Sequence, residues 1–274
     1  MIRIVAAMCV AGDSMFFRFA SYSIPSFLRN NASTDLHVFT DNPERIEKYQ
    51  RLSDRLVIND LHKYFDENKE LVETFRSKGR TREILRSRRE TYGFNFEDIF
   101  PVIMPLMADD TLKGKGYDYI LKVDSDGYFA GGDMMAMVKA DISNYSYAEV
   151  FLVERKHTLM AHYGGGMPGS GFTLWRVGSR FIPEYIRSFT GSQQVTILNM
   201  RCSQNISLKT LCRPGYHFVR PFWKAKETGN EFTKEIASQF LPAYFHLHGQ
   251  IALEGYEKLE EWFGDSKTKM EEQK

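Results

Sequence analysis

Three short apolar runs of this chain lead directly into aspartate, and that repeated arrangement limits the folds open to it. Residues 2–10 (IRIVAAMCV) close on Ala11-Gly12-Asp13, residues 35–40 (DLHVFT) on Asp41-Asn42-Pro43, and residues 119–123 (YILKV) on Asp124-Ser125-Asp126. Between the first two lies a helical stretch that carries Phe16, Phe17, Phe19, Ile24 and Phe27 toward a core. Strand, helix, strand with polar tips is the pattern of a parallel α/β sheet. Ligands of such sheets gather at the carboxyl ends of the strands, so Asp13, Asp41 and Asp124 are expected along one edge. Residues 55–58, 150–154 and 172–176 predict further strands. Residues 94–112 predict a core helix interrupted by Pro101 and Pro105.

The aspartate pair raises a chemical question. Two carboxylates side by side repel unless something positive sits between them. Hard oxygen ligands suit Mg²⁺, Mn²⁺ or Ca²⁺. An Asp-Ser-Asp-Gly turn needs no metal, so the pair alone leaves both readings open.

Composition removes several classes. The 274 residues are 43% hydrophobic and 26% charged, with a formal net charge of +1, which gives no support to a nucleic-acid partner. Cys9, Cys202 and Cys212 are too few and scattered for a disulfide framework or a cysteine zinc site, which predicts a reducing, cytoplasmic setting. The opening residues read as a strand and turn rather than a signal peptide. No run approaches the ~20 apolar residues of a membrane span. The sequons at Asn31, Asn144 and Asn205 therefore carry little weight. One domain is expected over residues 1–265, with a charged tail at 266–274.

Two other stretches stand out. Residues 76–90 (RSKGRTREILRSRRE) are strongly basic, either a solvated helix face or an arm over an anionic phosphate or acceptor. Residues 162–171 (HYGGGMPGSG) form a glycine-rich loop that lacks the Gly-Lys-Ser/Thr of a P-loop. It is a connection, or a place where backbone approaches a bulky ligand. Trp175, Trp223 and Tyr163 are possible stacking platforms, although large aromatics more often belong to the core.

The Asp-x-Asp-Gly turn after an apolar strand fits two enzyme classes. A phosphohydrolase of the haloacid dehalogenase type needs a second acidic cluster downstream, yet no aspartate occurs between Asp141 and Asp265. The other class is a nucleotide-sugar glycosyltransferase. In four places the chain resembles GT-A glycosyltransferases, particularly the retaining group that includes glycogenin and bacterial lipopolysaccharide galactosyltransferases. These are residues 4–13; residues 120–126 (ILKVDSD); residues 169–174 (GSGFTL) with 194–199 (QVTILN) after them; and residues 246–249 (HLHG). VFTDNP is also similar to the retaining blood-group-type transferases.

The resemblance implies a Rossmann-like, mostly parallel central sheet flanked by helices. It implies a UDP-sugar donor held by Ala7, Cys9, Ala11, Asp13, Asp41, Asp124, Ser125, Gly169, Ser170 and Gly249, and a carbohydrate or glycoconjugate acceptor for the hexose. It implies a metal on Asp124, Asp126 and His246, with His248 as the second histidine choice, and Gln193 and Gln194 beside the sugar. An imidazole ligand tilts the metal to Mn²⁺, with Mg²⁺ possible. His246 on its own reads first as a packed core histidine, and it is the Asp-x-Asp upstream and Gly249 three residues later that favour the metal.

The chain also departs from the family. The lysine that follows His-x-x-Gly there is absent here, where Gln250 stands, leaving Arg220, Lys224, Lys226 or the basic stretch for the diphosphate. The aspartates of the family's Asp-Gln-Asp are missing too. An inverting enzyme needs a carboxylate base, and that half offers only glutamates such as Glu149, Glu154, Glu184 and Glu227, which favours retention. Other readings are a metal-dependent nucleotidyltransferase, for which AGDSMFF is a poor match, and a non-enzymatic carbohydrate- or calcium-binding module.

Overall fold

The computed structural model describes residues 2–77, 100–154, 168–190, 193–211, 213, 215–216, 218–219, 222, 225, 229–247 and 251–264. A seven-stranded sheet has the order β3-β2-β1-β4-β7-β6-β8. Its strands are β1 (Ile4–Val10), β2 (Leu36–Thr40), β3 (Leu56–Asp60), β4 (Tyr119–Asp124), β6 (Val150–Glu154), β7 (Pro168–Arg176) and β8 (Leu208–Leu211). A three-stranded sheet, β5 (Gly127–Ala130), β10 (Ala243–His246) and β9 (Phe218–Val219), leans on it in the order β5-β10-β9.

β1 and β4 are apolar on both faces because helices cover both sides of the large sheet. On one face Phe17, Ala20, Ile24 and Phe27 of α1 (Ser14–Asn30) pack with Met134, Met135, Val138 and Ile142 of the helix Met134–Ser143. The other face is covered by the helices Phe100–Leu112, Phe181–Ser188 and Gln193–Ser203, which bring Met104, Met107, Tyr185 and Ile197 against Val5, Ile120 and Trp175. Phe19, Tyr128, Phe245 and Tyr256 fill a third cluster between α1, the small sheet and the helix Ile251–Phe263. Asp13 caps α1 by accepting from the Met15 N–H at 2.9 Å, so the first strand-end aspartate also starts the helix.

Three local expectations are revised. The strand expected at 172–176 begins at Pro168 and runs antiparallel to both neighbours, β4 and β6. Its apolar residues read alike in either direction. Among the described residues the core helix covers Phe100–Leu112 and runs through Pro105 without interruption, while residues 94–99 of the expected helix lie outside them. Ile103, Met104, Leu106, Met107 and Ala108 are all buried, and their burial offsets the ~3 kcal/mol that an interior proline costs. Trp175 is fully buried and donates to Asp109 at 3.1 Å, so it is a core residue rather than a ligand wall.

The basic stretch lies outside the described residues beyond Ser77. So do residues 162–167 of the glycine-rich loop, the charged tail, Tyr163 and Trp223. Among the described residues no helix is long and apolar enough to cross a membrane. The Asn31 sequon is buried, its amide donating to the Phe27 carbonyl and accepting from the Met135 N–H.

His37, at 3% exposure in β2, carries a pH dependence. Burial first, and Lys115 second, hold its imidazole at about 4. Above the ordinary value of 6.5 both folded and unfolded chains keep it neutral. As pH falls from 6.5 toward 4, the unfolded chain takes up a proton that the folded chain refuses, so stability falls. Urea melts at pH 7 and 4.5 should show the wild type losing about 2 kcal/mol more than His37→Asn. Equal losses would remove His37 from the acid response.

Candidate active site

Asp13, Asp41 and Asp124 fall along the edge formed by the carboxyl ends of the parallel strands. The chain moves from β1 outward to β2 and β3, then returns to place β4 on β1's other side, so strand order reverses between β1 and β4. Such a switch point leaves a crevice. Cys9 is paired in register with Asp124 across it. At the adjoining tip, Asp41 accepts from the Gly12 N–H at 2.9 Å, which fastens the β1 turn to the end of β2. The other Asp41 oxygen, Oδ1, is buried without a hydrogen-bond partner among the described residues.

Asp124 ends β4, and after Ser125 and Asp126 β5 begins, carrying the chain from the large sheet into the small one. β10 pairs antiparallel with β5 so that His246 stands opposite Gly127. This register brings an imidazole 120 residues away in sequence onto the aspartate pair, with His246 Nε2 2.8 Å from Asp126 Oδ1 and 3.5 Å from Asp124 Oδ2. One ligand atom from each of Asp124, Asp126 and His246 lies within 4.8 Å of the others. The imidazole is 1% exposed, and the two carboxylates 29% and 17%, so a buried nitrogen backs two oxygens that reach solvent.

Backbone bonds fix the turn. The Leu247 N–H donates to the Asp126 carbonyl at 2.8 Å. The Tyr244 hydroxyl accepts from the Asp124 N–H at 3.1 Å and donates to the Asp124 carbonyl at 3.0 Å. Burial first, then the two aspartates, push that phenol well above its ordinary value, so it keeps the proton it donates. Gly127 makes room for the tyrosine, since a Cβ there would lie 1.9 Å from the Tyr244 ring.

Gly171 of β7 lies against the cluster from another side. A Cβ there would meet Asp124 Oδ2 at 2.6 Å and His246 Cε1 at 2.9 Å. Lys122, two residues before Asp124 on the same face of β4, is buried and forms an ion pair with Asp124 Oδ1. Neither Gly171 nor Lys122 is singled out by the sequence reading, and nor is Tyr244. The signal for Lys122 was a lysine inside an otherwise apolar strand; for Gly171 it was a glycine flanking the residues expected to matter, Gly169 and Ser170.

The other expected residues fall as follows. Ala7 is fully buried in the middle of β1, Cys9 and Ala11 lie toward its carboxyl end, and Ser125 is buried in the turn. Gly169 and Ser170 belong to β7. Gln193 is buried at the start of its helix, where its side chain bonds Tyr185; Gln194 follows it in the same helix. His248 and Gly249 lie outside the described residues, as do Arg220, Lys224, Lys226 and Glu227. Glu149 is paired with Arg180, which holds its carboxyl down at about 2. Glu184 is likewise held at about 2, by Arg187. Glu149 immediately precedes β6 and Glu184 follows β7, placing both beside the edge opposite Asp124.

Two carboxylates and one imidazole, with the side-chain-free backbone of Gly171 packed close against them, are a donor set that could hold a metal ion. The architecture matches that of glycosyltransferase GT-A folds. The chain is similar to mouse xyloside xylosyltransferase 1 in its apo form, with a TM-score of 0.58 at 10% identity over 89% of this chain and 97% of that one. It is also similar to the glycosyltransferase GlyE of Streptococcus pneumoniae TIGR4, with a TM-score of 0.52 at 15% identity over 91% of this chain. The match spans 56% of the GlyE chain. No family model and no curated protein sequence matches.

Proposed function

We propose that this chain is a metal-dependent glycosyltransferase that moves a hexose from a UDP-sugar to a carbohydrate or glycoconjugate acceptor with retention. The observation that carries the reading is the Asp124-Asp126-His246 cluster at the switch point between β1 and β4. A haloacid dehalogenase-type phosphohydrolase would need a second acidic group, and among the described residues this is the one cluster with metal-ligand geometry.

Asp124, Asp126 and His246 would hold Mn²⁺, with Mg²⁺ as the alternative. When bound, the ion neutralises charge developing on the departing diphosphate. The turn at Ala11, Gly12 and Asp13, tied to Asp41, supplies a fixed cup for the nucleoside beside that charge. Tyr244 and Leu247 hold the Asp124–Asp126 backbone rigid, so the carboxylates need little reorganisation when the donor arrives. Gln193 and Gln194 would lie on the sugar side. Retention is favoured because Glu149 and Glu184 are committed to arginines beside the far edge, leaving neither as a base for an acceptor hydroxyl.

Nucleotide binding should therefore be metal-linked. UDP at about a hundred times its Kd adds about 2.7 kcal/mol to the folded state, which raises Tm by several degrees when Mn²⁺ is present. In EDTA the rise should be much smaller. An equal rise in EDTA would separate the nucleotide from the metal and defeat this reading. UDP release from a panel of UDP-sugars then identifies the donor.

A further inference from the structure

Lys122 is the one residue of β4 whose chemistry does not suit its place. Its register partners are Ala7 in β1 and Thr173 in β7, both buried, and on its own face of β4 Ile120 packs beside Val5, Ala7 and Trp175. The side chain is 3% exposed. An ammonium taken out of water at such a place is costly unless it is paired. The lysine stem runs along the apolar layer and delivers the charge upward to Asp124 Oδ1.

Asp124's two oxygens are thus divided. Oδ1 is paired with Lys122, while Oδ2 faces His246 and packs close to Gly171. Among the described side chains Asp124 and Asp126 contribute −2 and Lys122 contributes +1, so Lys122 makes the cluster one unit less negative toward an incoming divalent ion. With the ion bound, a neutral imidazole leaves the site at +1, whereas without Lys122 it would be neutral.

We propose that Lys122 is a positioning residue that trades metal affinity for attraction to the donor's diphosphate. It holds Asp124 so that a single oxygen remains for the metal, weakens metal binding to the free chain, and leaves a net positive site for the nucleotide. The inference rests on the reading of the cluster as the donor's metal site.

The test measures Mn²⁺ binding to the full chain without nucleotide, by the loss of the free-ion signal in electron paramagnetic resonance. Lys122→Met, similar in length and uncharged, should bind Mn²⁺ about tenfold more tightly or better. At saturating Mn²⁺ it should bind UDP several-fold more weakly. Loss of a purely structural residue would not tighten a site, so the opposite signs are diagnostic. Lys122→Gln keeps a donor for Oδ1 without the charge, and carries the same measurement if the methionine variant does not fold in EDTA. A folded variant with unchanged or weaker Mn²⁺ affinity overturns the proposal while leaving the metal site standing. Failure of both variants to fold would make Lys122 structural and overturn it as well. No Mn²⁺ binding by the wild type, with or without UDP, would remove the proposed function and this inference together.

Discussion

Asp126→Asn should cut turnover by roughly a hundredfold or more and leave the fold intact. The substitution keeps the size of the side chain and its capacity to hydrogen-bond His246. What it removes is the negative charge that would balance a divalent ion. Asp126 is 17% exposed, beside an imidazole at 2.8 Å, so its charge acts in a partly desolvated place where each interaction counts for more than in water. Losing it weakens the hold on an ion that stabilises the leaving diphosphate, and several kcal/mol of that stabilisation belongs to the transition state. The fold has little reason to suffer. The turn is fixed through backbone groups, by Leu247 on the Asp126 carbonyl and Tyr244 on Asp124, and those bonds survive the change. Without metal, Asp124 keeps its Lys122 partner and the new amide can still hydrogen-bond His246, so the change should cost little stability. The measurements are turnover in Mn²⁺ and Tm in EDTA. A folded variant with near-normal turnover would reduce Asp126 to a turn residue.

The parts of this architecture that are legible in the sequence are those specified locally. Apolar runs that stop at Asp13, Asp41 and Asp124 announce parallel strands and their shared edge, because burial on both faces demands continuous apolar sequence and the exposed tips do not. What depends on long-range pairing is harder to read. Nothing within residues 172–176 says that β7 runs against its neighbours, since Phe172, Leu174 and Trp175 bury equally well in either direction. The small sheet consists of strands two to four residues long, too short for an alternation pattern to register.

His246 is an intermediate case. A histidine among Tyr244, Phe245 and Leu247 reads as core, and it is indeed buried, yet the β5–β10 register aims its nitrogen at the aspartate pair. Lys122 was hidden for a different reason. In a strand pattern it looks like a solvated face, and only the helices packed on that face of β4 show that no solvent reaches it.

Gly171→Ala should cost at least a hundredfold in turnover, and for a steric reason rather than an electrostatic one. The added methyl group would lie 2.6 Å from Asp124 Oδ2 and 2.9 Å from His246 Cε1, closer than such atoms can approach, so at least one ligand must move. Asp124 has little freedom to do so. Its Oδ1 is tied to Lys122, and its backbone to the Tyr244 hydroxyl. His246 is held on the other side by β10's pairing with β5 and by its 1% exposure. The displaced atoms are those that would face the ion, and a shift of about 1 Å in such a group can cost about a hundredfold in rate. Mn²⁺ affinity should fall at least tenfold alongside turnover. Stability without metal should also fall, by about 1–3 kcal/mol, because the clash is present whether or not an ion is bound. Gly171 sits in β7 outside the left-handed region, so alanine adds no backbone strain, and the stiffer unfolded chain offsets only about 0.4–1 kcal/mol of that cost. Mn²⁺ titration, turnover and Tm in EDTA are read together. Normal Mn²⁺ affinity in a folded Gly171→Ala would mean that the space beside Asp124 Oδ2 is not where the ion binds. A collapse of Tm in EDTA well beyond that cost would mean that Gly171 serves the packing of the fold rather than the placement of the ligands.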